Sequence, residues 1–333
     1  MSDTRPSPLI FGIYPGGYTG PDGGETAMPD HQHHINEALD QLQGDHHPFL
    51  VRGYVQYTSS ESPVNAGLPE TPTRVEQYLR NGRKLDLVLS FRQPDVPGWL
   101  EFIRTTIHRC HSLLSTLQIT EEANVTTFPA VDGCIPQVRE ALVRGVMAAK
   151  DEIQRSSLDI QVGFNATLNF DPADDFWPSL ATLGGQTFLD ALDYIGLDFF
   201  PDVFRPLAPD GSPDDICSMV PSVLSHFRKI SLASAAIPES CPIHITEHGW
   251  PTGPTRSYER QAEVLEMILR IIHQQRDRLN ITHYEHFALR DANSSNADLF
   301  SQFGLLRDDY RPKPAFERYR QLIAELGRAV PTR

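Results

Sequence analysis

The chain has 333 residues, 40% of them apolar, and a formal net charge of −14. That length suits one barrel with extended loops, and the apolar fraction is enough to bury a large core. The negative charge argues against nucleic acid or an anionic membrane as partner, because phosphate binding needs a basic surface. No apolar stretch approaches the roughly 20 residues of a membrane span.

Residues 1–8 run into the apolar Leu9-Ile10-Phe11 without the basic start and apolar centre of a secretion signal, so a cytoplasmic location is expected. Cys110, Cys134, Cys217 and Cys241 are scattered and form no CxxC pair. Buried thiols are expected of them, not a disulfide framework or a zinc site.

Along the chain, short β-branched or apolar runs occur at 9–14, 49–57, 85–91, 116–120, 158–164, 194–200, 243–246 and 281–289. Segments with helical spacing lie between them, at 35–42, 73–80, 98–114, 135–154, 177–192, 214–232, 258–276 and 314–326. Pro136 and Pro314 read as first-turn prolines of two of these helices. Strict alternation implies a parallel sheet, since parallel neighbours need helical crossovers, and eight pairs close a barrel. The fold expected is therefore an α/β protein, a single (β/α)8 TIM barrel forming one catalytic domain over residues 1–333. An open doubly wound sheet would want a glycine-rich phosphate turn; Gly12-Ile13-Tyr14-Pro15-Gly16-Gly17 is not GxGxxG. Long connections at 15–34, 201–214 and 290–313 would emerge on one barrel face, as expected of an enzyme that grips an extended ligand.

The sharpest local pattern is Ile243-His244-Ile245-Thr246-Glu247-His248-Gly249-Trp250-Pro251, a glutamate that ends an apolar strand. Side chains alternate along a strand, so Ile243, Ile245 and Glu247 are expected to share one face, the isoleucines filling the barrel and Glu247 crowning it. Gln118-Ile119-Thr120-Glu121-Glu122-Ala123-Asn124 ends the fourth strand with two adjacent carboxyls. Mutual repulsion and burial raise the pKa of at least one, and a protonated glutamate is what a general acid requires. Glu122 facing Glu247 would supply the two carboxyls that glycoside hydrolysis places about one bond.

These motifs resemble those of clan A of the glycoside hydrolases. Thr246-Glu247-His248-Gly249-Trp250-Pro251 is similar to the clan's nucleophile signature, and residues 118–124 to its acid/base signature. Residues 193–201 resemble its sixth strand; Phe287-Ala288-Leu289-Arg290-Asp291, Phe303-Gly304-Leu305-Leu306 and Lys313-Pro314-Ala315-Phe316 resemble its eighth strand and last helix. Arg52 falls where the clan keeps an arginine on strand two. The resemblance implies a retaining β-glycosidase acting by double displacement, with Glu247 as nucleophile, Glu122 as acid/base and Arg52 helping to keep Glu247 ionised. Glu121 replaces the clan's asparagine, Phe199-Phe200 a supporting tyrosine, and Phe287 a tryptophan. A non-standard substrate is expected.

Arg52, Glu121, Asn165, Trp250 and Phe287 are the candidate substrate contacts. Trp250, within the nucleophile motif and just after Glu247, reads either as a sugar-stacking ring or as one packed beneath its loop; Asn165 reads either as a pocket residue or as a turn former. His31, His33, His34, His46 and His47 have no ligand spacing of the HExxH kind and are expected on the surface; no metal or other cofactor is expected. The partner expected is a carbohydrate. A transglycosidase and a catalytically silent carbohydrate-binding barrel stay open as alternatives. A lyase or aldolase would want a Schiff-base lysine at a strand end, where neither Lys84 nor Lys150 is expected.

Overall fold

Each apolar run pairs in parallel with the next, and the last returns to the first. The computed structural model describes residues 8–17, 27–58, 71–204 and 213–327. Its strands are β1 Ile10–Ile13, β2 Phe49–Tyr57, β3 Lys84–Phe91, β4 Leu114–Ile119, β5 Gln161–Thr167, β6 Tyr194–Asp198, β7 Ile243–His248 and β8 Ile281–His286. They form a closed barrel, with β1 hydrogen-bonded to both β2 and β8. Among the described residues seven α-helices surround it: α1 Gln32–Gln43, α2 Val96–Cys110, α3 Val138–Arg155, α4 Phe176–Ala191, α5 Pro213–His226, α6 Tyr258–Leu279 and α7 Pro314–Leu326. None is long and apolar enough to cross a membrane.

Local chemistry sets several boundaries. Asp95 caps α2 by accepting from the Gly98 amide at 3.1 Å, and Ser257 caps α6 by accepting from Arg260 at 3.1 Å. Asn280, in the left-handed region at φ 53°, stops α6 one residue before β8. Other expected elements are revised. Residues 73–80 form only a 3-10 turn, Val75–Tyr78, because Arg74 (φ 57°), Asn81 (φ 58°) and Gly82 (φ 75°) close it at both ends. Pro136 precedes α3 instead of opening it, with Gln137 in the left-handed region (φ 67°) between them. The helix expected at 98–114 stops at Cys110, since Leu114 already belongs to β4. The one expected at 214–232 passes into a π-helical turn over Phe227–Leu232. Among the thiols only Cys241 is buried; Cys110 is half-buried, and Cys134 and Cys217 are exposed, so burial is not their common role.

The barrel interior is not the usual stack of branched aliphatic residues. Arg52, Asp86, Gln118, Asn165, Asp198, His244, Thr246, His283 and Glu285 are all buried, and contacts across the lumen join most of them. Room for these long polar side chains comes from glycine: a Cβ on Gly12 would meet Glu285 at 2.8 Å, and one on Gly196 would meet Asn165 and Thr246 at 2.8 Å. The apolar core lies outside the barrel wall, beneath the helices.

One expected orientation is corrected here. His244 stacks on Tyr194 with ring centroids 4.0 Å apart, and Thr246 donates to Asp198 at 2.7 Å, so these two side chains face inward. By alternation Ile243 and Ile245 turn outward into the apolar layer, and do not fill the barrel. Glu247 still reaches the lumen because the register shifts. Leu197 pairs with Ile245 and Asp198 with Glu247, so β7 carries one residue more than β6 at this point. Such a bulge re-aims the strand end.

The long loops after β1, β6 and β8 lie on the face where the strands end; residues 18–26 and 205–212 of them are outside the described set. Two ion pairs fasten this face. Buried Arg290 binds Asp30 at 2.7 Å, and buried Lys313 binds Asp291 at 2.7 Å. Among the described residues Lys84 is exposed on the Ser112 carbonyl and Lys150 is paired with Asp193 at 2.6 Å, so neither is poised as a Schiff base.

Candidate active site

The site is built outward from Arg52. Its planar fork donates to Asp86 on β3 through Nη1 and to Gln118 on β4 through Nη2 at 2.9 Å. Nε reaches the Tyr54 hydroxyl at 2.8 Å and Oε1 of Glu247 at 3.4 Å. Asp86 also accepts from Thr116. A buried guanidinium is tolerable only when its charge and donors are matched in this way. The result fixes Arg52 in one orientation beneath Glu247.

Tyr54 shares the inward face of β2 with Arg52, two residues on, and its hydroxyl donates to Oε1 of Glu247. Burial keeps that phenol protonated, far above the ordinary tyrosine range. Phe199 and Phe200, which replace the expected supporting tyrosine, therefore leave no gap: the hydroxyl comes from the opposite wall.

At the exit of β4 the backbone turns sharply. Thr120 (φ 68°) and Glu122 (φ 45°) both occupy the left-handed region, which is costly for residues with a Cβ and worst for a β-branched one. Asp132 holds the turn. Its fully buried carboxylate accepts from the amides of Glu121 at 2.8 Å and Phe91 at 2.7 Å, and from the Ser90 hydroxyl at 2.6 Å. Glu121 then points its Oε2 to Gln118 Nε2 at 2.7 Å and Asn165 Nδ2 at 3.3 Å, with Arg52 at 3.8 Å. The amide of Glu122 is held by Asn165 Oδ1 at 2.8 Å. Asn165 also donates to Asp198 and so ties the ends of β4, β5 and β6 together.

Four carboxyls thus converge. Oxygens of Glu121, Asp198 and Glu247 lie within 4.8 Å of one another, and Glu122 hydrogen-bonds Asp198. Their environments differ. Burial raises the Glu247 pKa, while Arg52 and Tyr54 pull it back, leaving it above the ordinary carboxylate range. Glu122 is pushed well above that range by burial and by the negative charges of Asp198 and Glu247. Asp198 is pushed up to about 8, by burial first and Glu247 second. Burial and the same neighbours raise Glu121.

Each expected contact residue has a definite place. Arg52, Glu121 and Asn165 belong to this cluster, although Asn165 is fully buried and acts through its neighbours. Half-buried Phe287 leaves β8 at the rim, stacked on Tyr14 at 5.3 Å and edge-on to Phe200. Trp250 is 4% exposed, its N–H on Asp202 at 3.3 Å and the Arg256 guanidinium over its ring at 4.6 Å. That is the packed arrangement, with no open platform for a sugar. His31, His33, His34 and His47 are exposed and His46 is half-buried. Glu121, Asp198 and Glu247 are the one group of metal-type ligands among the described residues. The Arg52 cation already lies against two of them, and the third is engaged by Thr246 and Asn165.

Tyr54, Asp86, Asp132 and Asp198 were not singled out from the sequence. For Tyr54 and Asp198 a signal existed: both lie on the inward face of strands already recognised.

No protein-family pattern and no curated protein matches the chain. Solved structures do. An apo β-glucosidase aligns over 97% of this chain and 100% of its own, at 14% identity and a TM-score of 0.62. A β-glucosidase from Thermotoga maritima in complex with azafagomine aligns over 97% of this chain and 99% of its own, at 12% identity and a TM-score of 0.62. Fungal β-1,4-galactanases align over 95% of this chain and 100% of their own, at 9% identity and a TM-score of 0.60. The chain shares the (β/α)8 barrel fold of these glycoside hydrolases; Glu122 lies just beyond the end of β4 and Glu247 near the end of β7.

Proposed function

We propose that the protein is a retaining glycosidase acting on a β-linked glycoside or oligosaccharide, with Glu247 as nucleophile and Glu122 as acid/base. The observation that carries this reading is the unequal treatment of two carboxyls in one pocket. Glu247 is met by a guanidinium and a phenol, which favour its charged form; Glu122 is met by burial and by other carboxyls, which favour its proton. Opposite protonation of two neighbouring carboxyls is the division of labour that glycoside hydrolysis uses.

In the first step Glu122 gives its proton to the departing glycosidic oxygen while a Glu247 oxygen bonds the anomeric carbon. In the second, Glu122 takes a proton from water, whose oxygen displaces Glu247. Retention is the outcome that the resemblance to clan A implies; a retaining pair holds its two carboxyls about 5–5.5 Å apart and an inverting pair about 6.5–9.5 Å apart. In this reading Glu121 meets the sugar beside the reacting carbon, Phe287 forms part of its floor, and buried Arg52 acts through Glu247. The β-linkage is consistent with the β-glucosidases and β-galactanases that share the fold.

The test is covalent trapping with 2-deoxy-2-fluoro β-glycosides carrying an activated leaving group. Mass spectrometry is expected to find one sugar per chain, on the peptide containing Glu247. A label on another residue would remove Glu247 from the mechanism. No label and no turnover across gluco, galacto and manno configurations would favour a silent carbohydrate-binding barrel.

A further inference from the structure

Glu121 is a side chain that double displacement does not need, yet it stands closer to the reaction than most. Both amide donors that it meets, Gln118 and Asn165, reach Oε2, and Arg52 approaches the same oxygen. Oε1 accepts from no described residue, and the side chain keeps 12% of its surface open. Burial and acidic neighbours favour a proton on Glu121; a cationic donor seated at Oε1 takes the place of that proton and leaves a carboxylate that only accepts.

Charge balance says what kind of donor. Among the described residues Arg52 is the cation that touches the cluster, and it is shared among Asp86, Glu247 and, at 3.8 Å, Glu121. The Glu122 carboxyl has Asp198, and Asp198 has in addition Thr246 and Asn165, all uncharged or acidic. The pocket holds more potential negative charge than Arg52 can neutralise, in surroundings where a charge-assisted contact is stronger than at the surface. A ligand that brings its own positive charge completes it.

Position follows from Glu247. Resting on the reading of Glu247 as nucleophile, the anomeric carbon lies against its carboxylate, and an oxygen of Glu121 is within 4.8 Å of that carboxylate. The substituent on ring carbon 2 is the first that can reach from one to the other.

We propose that Glu121 is a specificity residue that binds a free ammonium on carbon 2, so that the preferred substrates are 2-amino-2-deoxy-β-glycosides, as in de-N-acetylated amino-sugar polymers. The ammonium has three donors for Oε1 of Glu121 and its acidic neighbours, whereas a hydroxyl has one and no charge. An N-acetyl group removes the charge and adds bulk.

The experiment compares aryl glycosides of 2-amino-2-deoxy, 2-hydroxy and 2-acetamido sugars, in gluco and galacto form, on the wild-type protein and on Glu121→Gln. Calorimetric binding of glucosamine, galactosamine and the parent sugars runs in parallel. Expected are a preference of about tenfold or more in kcat/KM for the amino glycoside of at least one configuration and a matching preference in Kd, both collapsing in Glu121→Gln. Glu121→Asn serves if the glutamine variant does not fold. Equal or faster hydrolysis of the 2-hydroxy glycosides by the wild type overturns the assignment and leaves the catalytic pair standing. If no glycoside is cleaved, the catalytic reading fails, and the amino-sugar binding still decides the role of Glu121: equal Kd for the amino and parent sugars overturns it.

Discussion

The hydroxyl of Tyr54 on β2 donates to Oε1 of Glu247 on β7, the same oxygen that Arg52 approaches at 3.4 Å. One carboxylate oxygen is thereby fixed and partly neutralised while its twin is left for chemistry. A hydrogen bond to a charged group contributes about 1.5–3 kcal/mol, so Tyr54→Phe is expected to lower kcat/KM about 10- to 100-fold. The sign of the pH effect is also set. Removing a donor to the ionised form raises the Glu247 pKa further, so the acid limb of the kcat/KM profile moves to higher pH. A rate loss with an unmoved acid limb would mean that Tyr54 acts only by packing.

Glu122 is needed in proportion to how badly the leaving group wants a proton. In Glu122→Ala, aryl glycosides with acidic phenols are expected to lose little in the first step, and alkyl or sugar leaving groups to lose about 100-fold or more, within the range of general acid catalysis. The plot of log kcat/KM against leaving-group pKa steepens accordingly. A uniform loss across leaving groups would assign the proton to a different residue, with Glu121 the first to examine.

Asp198 gives a second, independent handle on that proton. It hydrogen-bonds Glu122, and its charge helps to raise the Glu122 pKa. Asp198→Asn keeps the shape and the Thr246 and Asn165 neighbours but deletes the charge. Glu122 then loses its proton more readily, so the alkaline limb of the activity profile is expected to move to lower pH. An alkaline limb that stays in place would separate Asp198 from the acid.

The barrel was legible because its evidence is repetitive: eight short apolar runs alternating with helical periodicity leave little but a parallel closed sheet. Glu247 was legible because its motif is contiguous, with Gly249, Trp250 and Pro251 marking the strand end. Tyr54 and Asp198 could have been found by stepping two residues along strands already identified. Asp132 could not, since a loop carboxylate that secures the β4 turn looks like any other loop aspartate. The inward phase of β7 was misread for a physical reason. Isoleucines at 243 and 245 suit either side of a barrel wall, and a register shift is a backbone event that no residue here announces. A lumen lined by His244, His283 and Glu285 also runs against the expectation of aliphatic layers, and only the three-dimensional pairing explains it.

Those lumen and wall histidines make a prediction about stability. His244, His248, His283 and His286 are buried and held below the ordinary value of 6.5 by burial, His248 and His283 down to about 3. Below pH 6.5 the unfolded chain binds protons that these rings refuse, so their contribution is present at neutral pH and lost as pH falls towards 3. Glu121, Glu122, Asp198 and Glu285 act in the opposite sense, because burial and like charge raise them. Their contribution is complete below the ordinary carboxyl values and fades as pH rises through the folded ones. Between pH 4.5 and 6.5 the two trends oppose each other; the carboxyl trend then fades as pH falls below the ordinary values of 4.5 for glutamate and 3.8 for aspartate, while the histidine slope continues. Surface carboxylates held low by arginines, such as Asp40 and Glu325, add to the acid limb. Comparing variants removes that shared part. In urea unfolding between pH 4.5 and 3, His248→Gln is expected to flatten the loss of stability by about 1 kcal/mol per pH unit relative to the parent, whatever its baseline stability. Parallel slopes for the two proteins would show that His248 titrates normally in the fold and that burial does not keep it neutral.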